Sequence, residues 1–305
     1  MFISVVMSVY NETIEEINKS ILSILNQTYK NFEFIIVVDN PNNINIINVI
    51  KDFAFKDERI KYIINKKNIG LASSLNRGIE SAKGKYIVRM DADDISVENR
   101  LEKQIAYLIK NPKISLLGSN VKTIDENDKE IRNWKVETNI RKIKKIMKYE
   151  SCFIHPTVIF KKEIFEKLHG YRDFPCAQDY DFFLRILDAG YEATNLNEYL
   201  LLYRVRNNNL TNKKRLFQIL LSEYIKKLSK ERKIEGGEDS FNAQDIKKIE
   251  IIFEREKENF NKARKIVKKY NKNKLLFLLN IPRIVFRSKY YLLIIKNKIN
   301  ILFLT

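Results

Sequence analysis

Two short acidic stretches carry the residue types and spacing that could do chemistry. In "GKYIVRMDADDIS" an apolar run ends in Asp91, Asp93 and Asp94. In "QDYDFFLRI" Gln178, Asp179 and Asp181 open a segment with helical spacing. Carboxylates this close repel and are disfavoured in strands. A pair of them suits one hard divalent cation, Mn2+ or Mg2+, which keeps waters and takes phosphate oxygens from a substrate. The ion's charge offsets their repulsion. A lone carboxylate at a helix start can serve as a general base or as an N-cap.

The elements that position these groups read as alternating strands and helices. "FISVVMSV", "FEFIIVVDN", "IKYIIN" and "YIVRM" are strand-like, with helices over 14–26, 44–54 and 71–82 between them. Such alternation predicts an α/β domain with a mainly parallel sheet, where ligands bind at the carboxyl ends of the strands. Tyr10–Glu12, Asp39 and Asp91–Asp94 all fall at such ends. A helix is expected over 97–111, strands at "ISLLGSNV", "TVIF" and "LLYRVR", a helix over 178–190, and helices from about 212 onward with a long one over 243–270.

The 305 residues carry a net charge of +18, unevenly spread. Residues 207–305 hold 24 Lys/Arg against 10 Asp/Glu, and 259–305 hold 12 cations and no acid. A nearly neutral body over 1–210 and a basic helical region over 211–305 are predicted. Basic residues interleaved with Leu, Phe and Tyr over 259–305 suggest a segment facing an anionic membrane surface; a helical extension packed on the body is the alternative. No nucleic-acid-binding module is recognisable. Two cysteines and an N-terminus without a basic leader predict a cytoplasmic protein. No apolar stretch approaches the ~20 residues that span a bilayer, so attachment to the inner face of the plasma membrane would be peripheral.

The order of "VVMSVYNE", "IIVVDN", "NIGLASSLNRGIESAKGKYIVRMDADD", "HPTVIF" and "QDYDFFLRI" over roughly 1–206 resembles the family 2 glycosyltransferases of the GT-A fold, in particular the bacterial exopolysaccharide and lipopolysaccharide subgroup of the amylovoran-synthesis type. The resemblance implies a Rossmann-like sheet flanked by helices. It also implies an inverting, metal-dependent transfer from a nucleotide-sugar, a UDP-sugar by preference, to a glycan or lipid-linked acceptor.

By the same resemblance Ser8, Val9, Tyr10, Glu12, Asp39, Asn76, Arg77, Asp91 and Ala92 face the donor. Asp93 is the metal ligand, Asp94 caps the following helix and Asp179 is the base. Asp181 is the rival for the base, and Glu12 and Asp39 read equally as helix caps. His155, Gln178 and Arg206 fall on the acceptor or diphosphate side. Three positions depart from the family pattern: "VDNP" at 38–41, Gln178 in place of an acid, and Arg206 in place of a histidine that can approach the metal. Trp134 lies outside any Q-x-x-R-W context, which implies one sugar per encounter. A nucleotidyltransferase and an inactive membrane-surface scaffold are the rival readings. The first lacks a Gly-rich phosphate loop, and the intact acids argue against the second.

Overall fold

A computed structural model describes residues 1–206, 215–270 and 279–304. The boundary expected at 210/211, the helix start expected near 212 and most of the apolar cluster at 275–279 lie outside the described residues. The chain divides into two compact units, 1–144 with 151–207 and 145–150 with 208–305.

In the first unit β1 (Ile3–Val9), β2 (Phe32–Val38), β3 (Ile60–Ile64) and β4 (Tyr86–Asp91) pair in parallel, in the order β3-β2-β1-β4. The β-branched runs of β1, β2 and β4 bury both faces, as parallel sheets require, while β3 at the edge is partly exposed. α1 (Ile14–Leu25), α2 (Ile44–Lys56) and α3 (Leu71–Glu80) make the crossovers. α1 starts with a complete capping box between Thr13 and Glu16. α3 lies close on the sheet because Gly78 leaves room: a Cβ there would stand 2.7 Å from the Val6 side chain and 2.9 Å from Val37.

Beyond β4 the sheet turns mixed. β5 (Ile95–Ser96) and α4 (Arg100–Lys110) lead to the long β6 (Ile114–Ile124), followed by β7 (Glu130–Trp134) and α5 (Ile140–Ile146). β8 (Ile159–Lys161) runs antiparallel between β4 and β6, and α6 (Lys162–Lys167) and α7 (Gln178–Asp188) precede β9 (Glu192–Arg204), parallel to β6. Among the described residues the sheet is thus half parallel and half mixed. The strand expected at "TVIF" starts two residues later, at Ile159, because 155–157 is a 3-10 turn in which the Pro156 ring fixes φ and Thr157 Oγ1 bonds back to the Ile154 carbonyl. The last strand starts nine residues earlier than "LLYRVR" suggests. β7, α5 and α6 are short elements that periodicity does not reveal.

The second unit is helical: α8 (Arg215–Ile234), α9 (Ala243–Tyr270), α10 (Ile281–Arg287) and α11 (Lys289–Leu302). Its core joins Leu216, Leu220, Phe260, Ala263, Ile284, Tyr290 and Tyr291, with the Phe260 and Tyr291 rings stacked at 4.7 Å. Part of the basic 259–305 stretch therefore packs inward. No helix of the described residues is long and apolar enough to cross a membrane.

Candidate active site

The carboxyl ends of β1 and β4 lie side by side, with Ser8 opposite Asp91. β4 ends in Asp91, and the turn that follows brings one oxygen each of Asp91, Asp93 and Asp94 within 4.8 Å of one another. One serine and one arginine hold the backbone of this turn. Ser20 Oγ donates to the Asp91 carbonyl at 3.0 Å, and Arg204 Nε donates to the Asp93 carbonyl at 2.8 Å. Arg204 is buried, and its guanidinium is itself fixed by the Asp125 carbonyl and the Asp128 carboxylate.

Asp94 does not cap the next helix. Its Oδ1 accepts the Arg204 backbone N–H at 2.8 Å, and α4 begins after Asn99, which makes no side-chain cap. Asp94 is fully buried, and Oδ2 has no hydrogen-bond partner among the described residues. Burial and the charges of Asp91 and Asp93 push its carboxyl well above the usual range. Asp93 is half-buried; burial first and Asp91 second push it up to about 7. Arg206 partly compensates, with Nη2 at 3.5 Å from Asp93 Oδ2 and 2.9 Å from Glu16 Oε1. The cluster is short of positive charge and holds a buried oxygen without a partner. Both observations fit a divalent cation bound by these oxygen donors.

Arg89 lies beneath this edge. Its strand neighbours Val88 and Met90 belong to the main apolar core, so Arg89 points to the opposite face of the sheet. It is 3% exposed, and Nη1 sits 2.5 Å from Asp91 Oδ1 while Nε is unpartnered among the described residues. Its charge reaches Asp179, His155 and Tyr171 as well. An arginine in the middle of "YIVRM" is the signal that sequence reasoning passed over; Arg204 was equally missed.

Asp179 lies in the first turn of α7, whose N-cap is Ala177 in a left-handed conformation (φ 65°). It is therefore not the cap residue. Burial raises its pKa, opposed by the backbone N–H groups of Tyr180 and of Asp179 itself and by Arg89. Gln178 precedes it and is buried. Asp181, the rival, is 0% exposed and bonded to Arg185 Nε at 2.8 Å, with Arg172 at 3.6 Å. That pairing commits it to holding Arg185, which in turn ties down the Leu168 and Gly170 carbonyls.

The remaining predicted residues form two further groups. Asp39 is buried and accepts from Asn65 Nδ2 and from the N–H groups of Ile69 and Gly70, just ahead of α3. Arg77 donates to Asn65 Oδ1 at 2.5 Å, so it supports Asp39 through Asn65. Asn76 bonds both the N–H and the carbonyl of Tyr171. Gly170, at φ 67°, leaves the room: a Cβ there would stand 2.9 Å from Asn76 Oδ1. Tyr171 OH meets His155 Nε2 at 3.0 Å. Burial, then Arg89, keep that histidine well below its usual pKa, hence neutral. Asn76 and His155 thus brace the segment leading to Asp179.

Glu12 does not cap α1, a role Thr13 fills; its Oε2 accepts the Tyr10 N–H at 2.7 Å, and burial raises its pKa. Tyr10 presents an exposed ring, while Val9 and Ala92 are buried.

The sheet edge thus carries a carboxylate turn after β4, and Asp179 at the start of α7 lies within reach of the same Arg89 charge. The family model described as glycosyl transferase family 2 matches residues 4–169, more than half of the chain, and the protein belongs to that family. It is 39% identical over 210 residues to the O-antigen biosynthesis glycosyltransferase WbnJ of Escherichia coli, covering 68% of this chain and 81% of that protein. Two solved structures share the fold. Residues 1–349 of Staphylococcus aureus TarS with UDP-GlcNAc match at a TM-score of 0.60 and 16% identity, over 74% of this chain and 66% of that one. The mannosyltransferase PcManGT of Pyrobaculum calidifontis with GDP-Man and Mn2+ matches at 0.57 and 17%, over 72% and 61%.

Proposed function

We propose that this glycosyltransferase moves one sugar per encounter, with inversion, from a nucleotide-sugar to a glycan acceptor carried on a lipid during cell-surface polysaccharide synthesis. The observation that carries the reading is the pairing of a charge-poor carboxylate turn, Asp91–Asp94, with Asp179 across the buried Arg89. Asp93, with Asp91 beside it, would hold a divalent cation, Mn2+ or Mg2+, which would supply positive charge to the leaving diphosphate. The UDP and GDP ligands of the solved relatives and the O-antigen role of WbnJ support the donor and pathway classes.

Tyr10 offers its exposed ring to the nucleobase, and Ser8, Glu12 and the loop shaped by Asp39 and Arg77 line the nucleoside side. Arg206, which stands beside Asp93, turns to the diphosphate. Asp179 takes the proton of the acceptor hydroxyl as its oxygen bonds the anomeric carbon and the bond to the diphosphate breaks on the opposite face. Such a base contributes ~10²–10⁴-fold. Asn76, His155 and Gln178 hold the segment that carries it. A lipid-borne acceptor puts the enzyme at the inner face of the plasma membrane, with residues 259–305 toward the anionic surface.

Calorimetry with a panel of UDP- and GDP-sugars, in Mn2+ and in chelator, tests the reading. It requires at least one donor whose affinity falls by roughly 100-fold or more without the metal. A panel with no binder in either condition would overturn it.

A further inference from the structure

Residues 279–304 form a surface whose two faces differ in kind. Ile284 of α10 and Tyr290 and Tyr291 of α11 turn inward to the core of the second unit. The opposite faces combine cations with large apolar side chains in solvent. On α10, Arg283, Phe286 and Arg287 fall at i, i+3 and i+4, and the Phe286 ring is 93% exposed. On α11, Leu292 and Lys296 share one stripe, which Phe303 continues as the C-cap residue with its ring 86% exposed. Neither helix contains an acidic residue, and none of Arg283, Arg287 and Lys296 has an ion-pair partner among the described residues.

Scattered single apolar residues are ordinary on a protein surface. Phenylalanines this exposed, Phe286 between Arg283 and Arg287 and Phe303 two turns along from Lys296, on helices with a packed inner face, are the pattern of a helix that lies in a membrane interface. The cations meet lipid phosphates and the rings enter the headgroup–acyl boundary.

We propose that the outward faces of α10 and α11 dock on an anionic bilayer, with Arg283, Arg287 and Lys296 on the headgroups and Phe286 and Phe303 inserted. The proposal rests on the reading of a lipid-borne acceptor for its purpose, and it names the surface that serves it. Charge complementarity selects the occupant. A second copy of this chain would bring the same positive faces together, and a nucleic-acid duplex, whose bases are already stacked, would leave the phenylalanines without a role.

The test is co-sedimentation of the full chain with vesicles of phosphatidylglycerol and phosphatidylcholine, and with phosphatidylcholine alone. Binding is expected to the first mixture, weakened by raised salt, and not to the second. Neutralising the three cations together to Gln should weaken binding on the order of 100-fold, from about a factor of five for each charge. Phe286→Ser with Phe303→Ser should remove the part of binding that survives high salt. All five positions are exposed, so far-ultraviolet circular dichroism should be unchanged. Equal binding to neutral vesicles, or variants that bind like the parent, overturn the proposal. So does binding confined to single-stranded DNA, or self-association in sedimentation velocity that the phenylalanine variants abolish. Nucleotide binding with Mn2+ is measured on the same samples: its loss with vesicle binding intact would sink the enzymatic reading and leave this surface standing.

Discussion

Replacing Asp93 by Asn should stabilise the metal-free fold while destroying metal-dependent donor binding. The carboxyl is pushed from the usual 3.8 up to about 7 by burial and by Asp91. Roughly three pH units at about 1.4 kcal/mol each set a ceiling of ~4 kcal/mol. Asp93 keeps 28% of its side chain in solvent and has Arg206 at 3.5 Å, so screening reduces this to about 1–3 kcal/mol.

The sign follows from linkage. Because the folded-state pKa is raised, the stability of the parent is fully present below about pH 4 and is lost as pH rises toward 7. The Asn variant has no such loss, so the difference between the two should grow from near zero at pH 4 to its full value above pH 7. Urea unfolding in chelator, followed by the single Trp134 of the first unit, reads this directly. Saturating Mn2+ should then stabilise the parent at pH 8 and leave the variant unmoved. If Asp93→Asn destabilises at pH 8, or the difference does not depend on pH, the carboxylate turn is not the strained cation site described above.

Two further substitutions separate positioning from chemistry. Arg89→Met should cost about 2 kcal/mol, less than a fully buried pair because Asp91 is partly exposed. It should also move the acid limb of kcat to higher pH, since Arg89 opposes the burial that raises Asp179; an unmoved limb would detach Arg89 from the base. Asp181→Asn should lower stability by about 3–5 kcal/mol by stranding buried Arg185, with kcat per folded molecule unchanged; a large fall in kcat would return Asp181 to candidacy as the base.

The parallel half of the fold was legible because its strands are apolar runs and its helices have clear periodicity. Ser8, Asp39 and Asp91 fall at strand ends where the α/β rule puts a ligand. The mixed half was harder to read: β7 is exposed throughout and lacks the pattern of a buried strand, and of the strand read at "TVIF" only Ile159 and Phe160 fall in β8. Asp94 misled because its partner, the Arg204 backbone, is 110 residues away, whereas helix capping is a local rule. The resemblance already preferred Asp179 to Asp181, and packing adds what the sequence could not show, that Arg185 claims Asp181. Arg89 was visible as a charge inside a buried strand, and its partner stood two residues away in the same motif.

The central claim is that Asp179 is the base. Single-turnover transfer from a bound nucleotide-sugar, with Mn2+ present, should fall by roughly 10² or more in Asp179→Asn while donor affinity stays at the parent's value. Transfer at the parental rate with the donor equally bound would contradict the account.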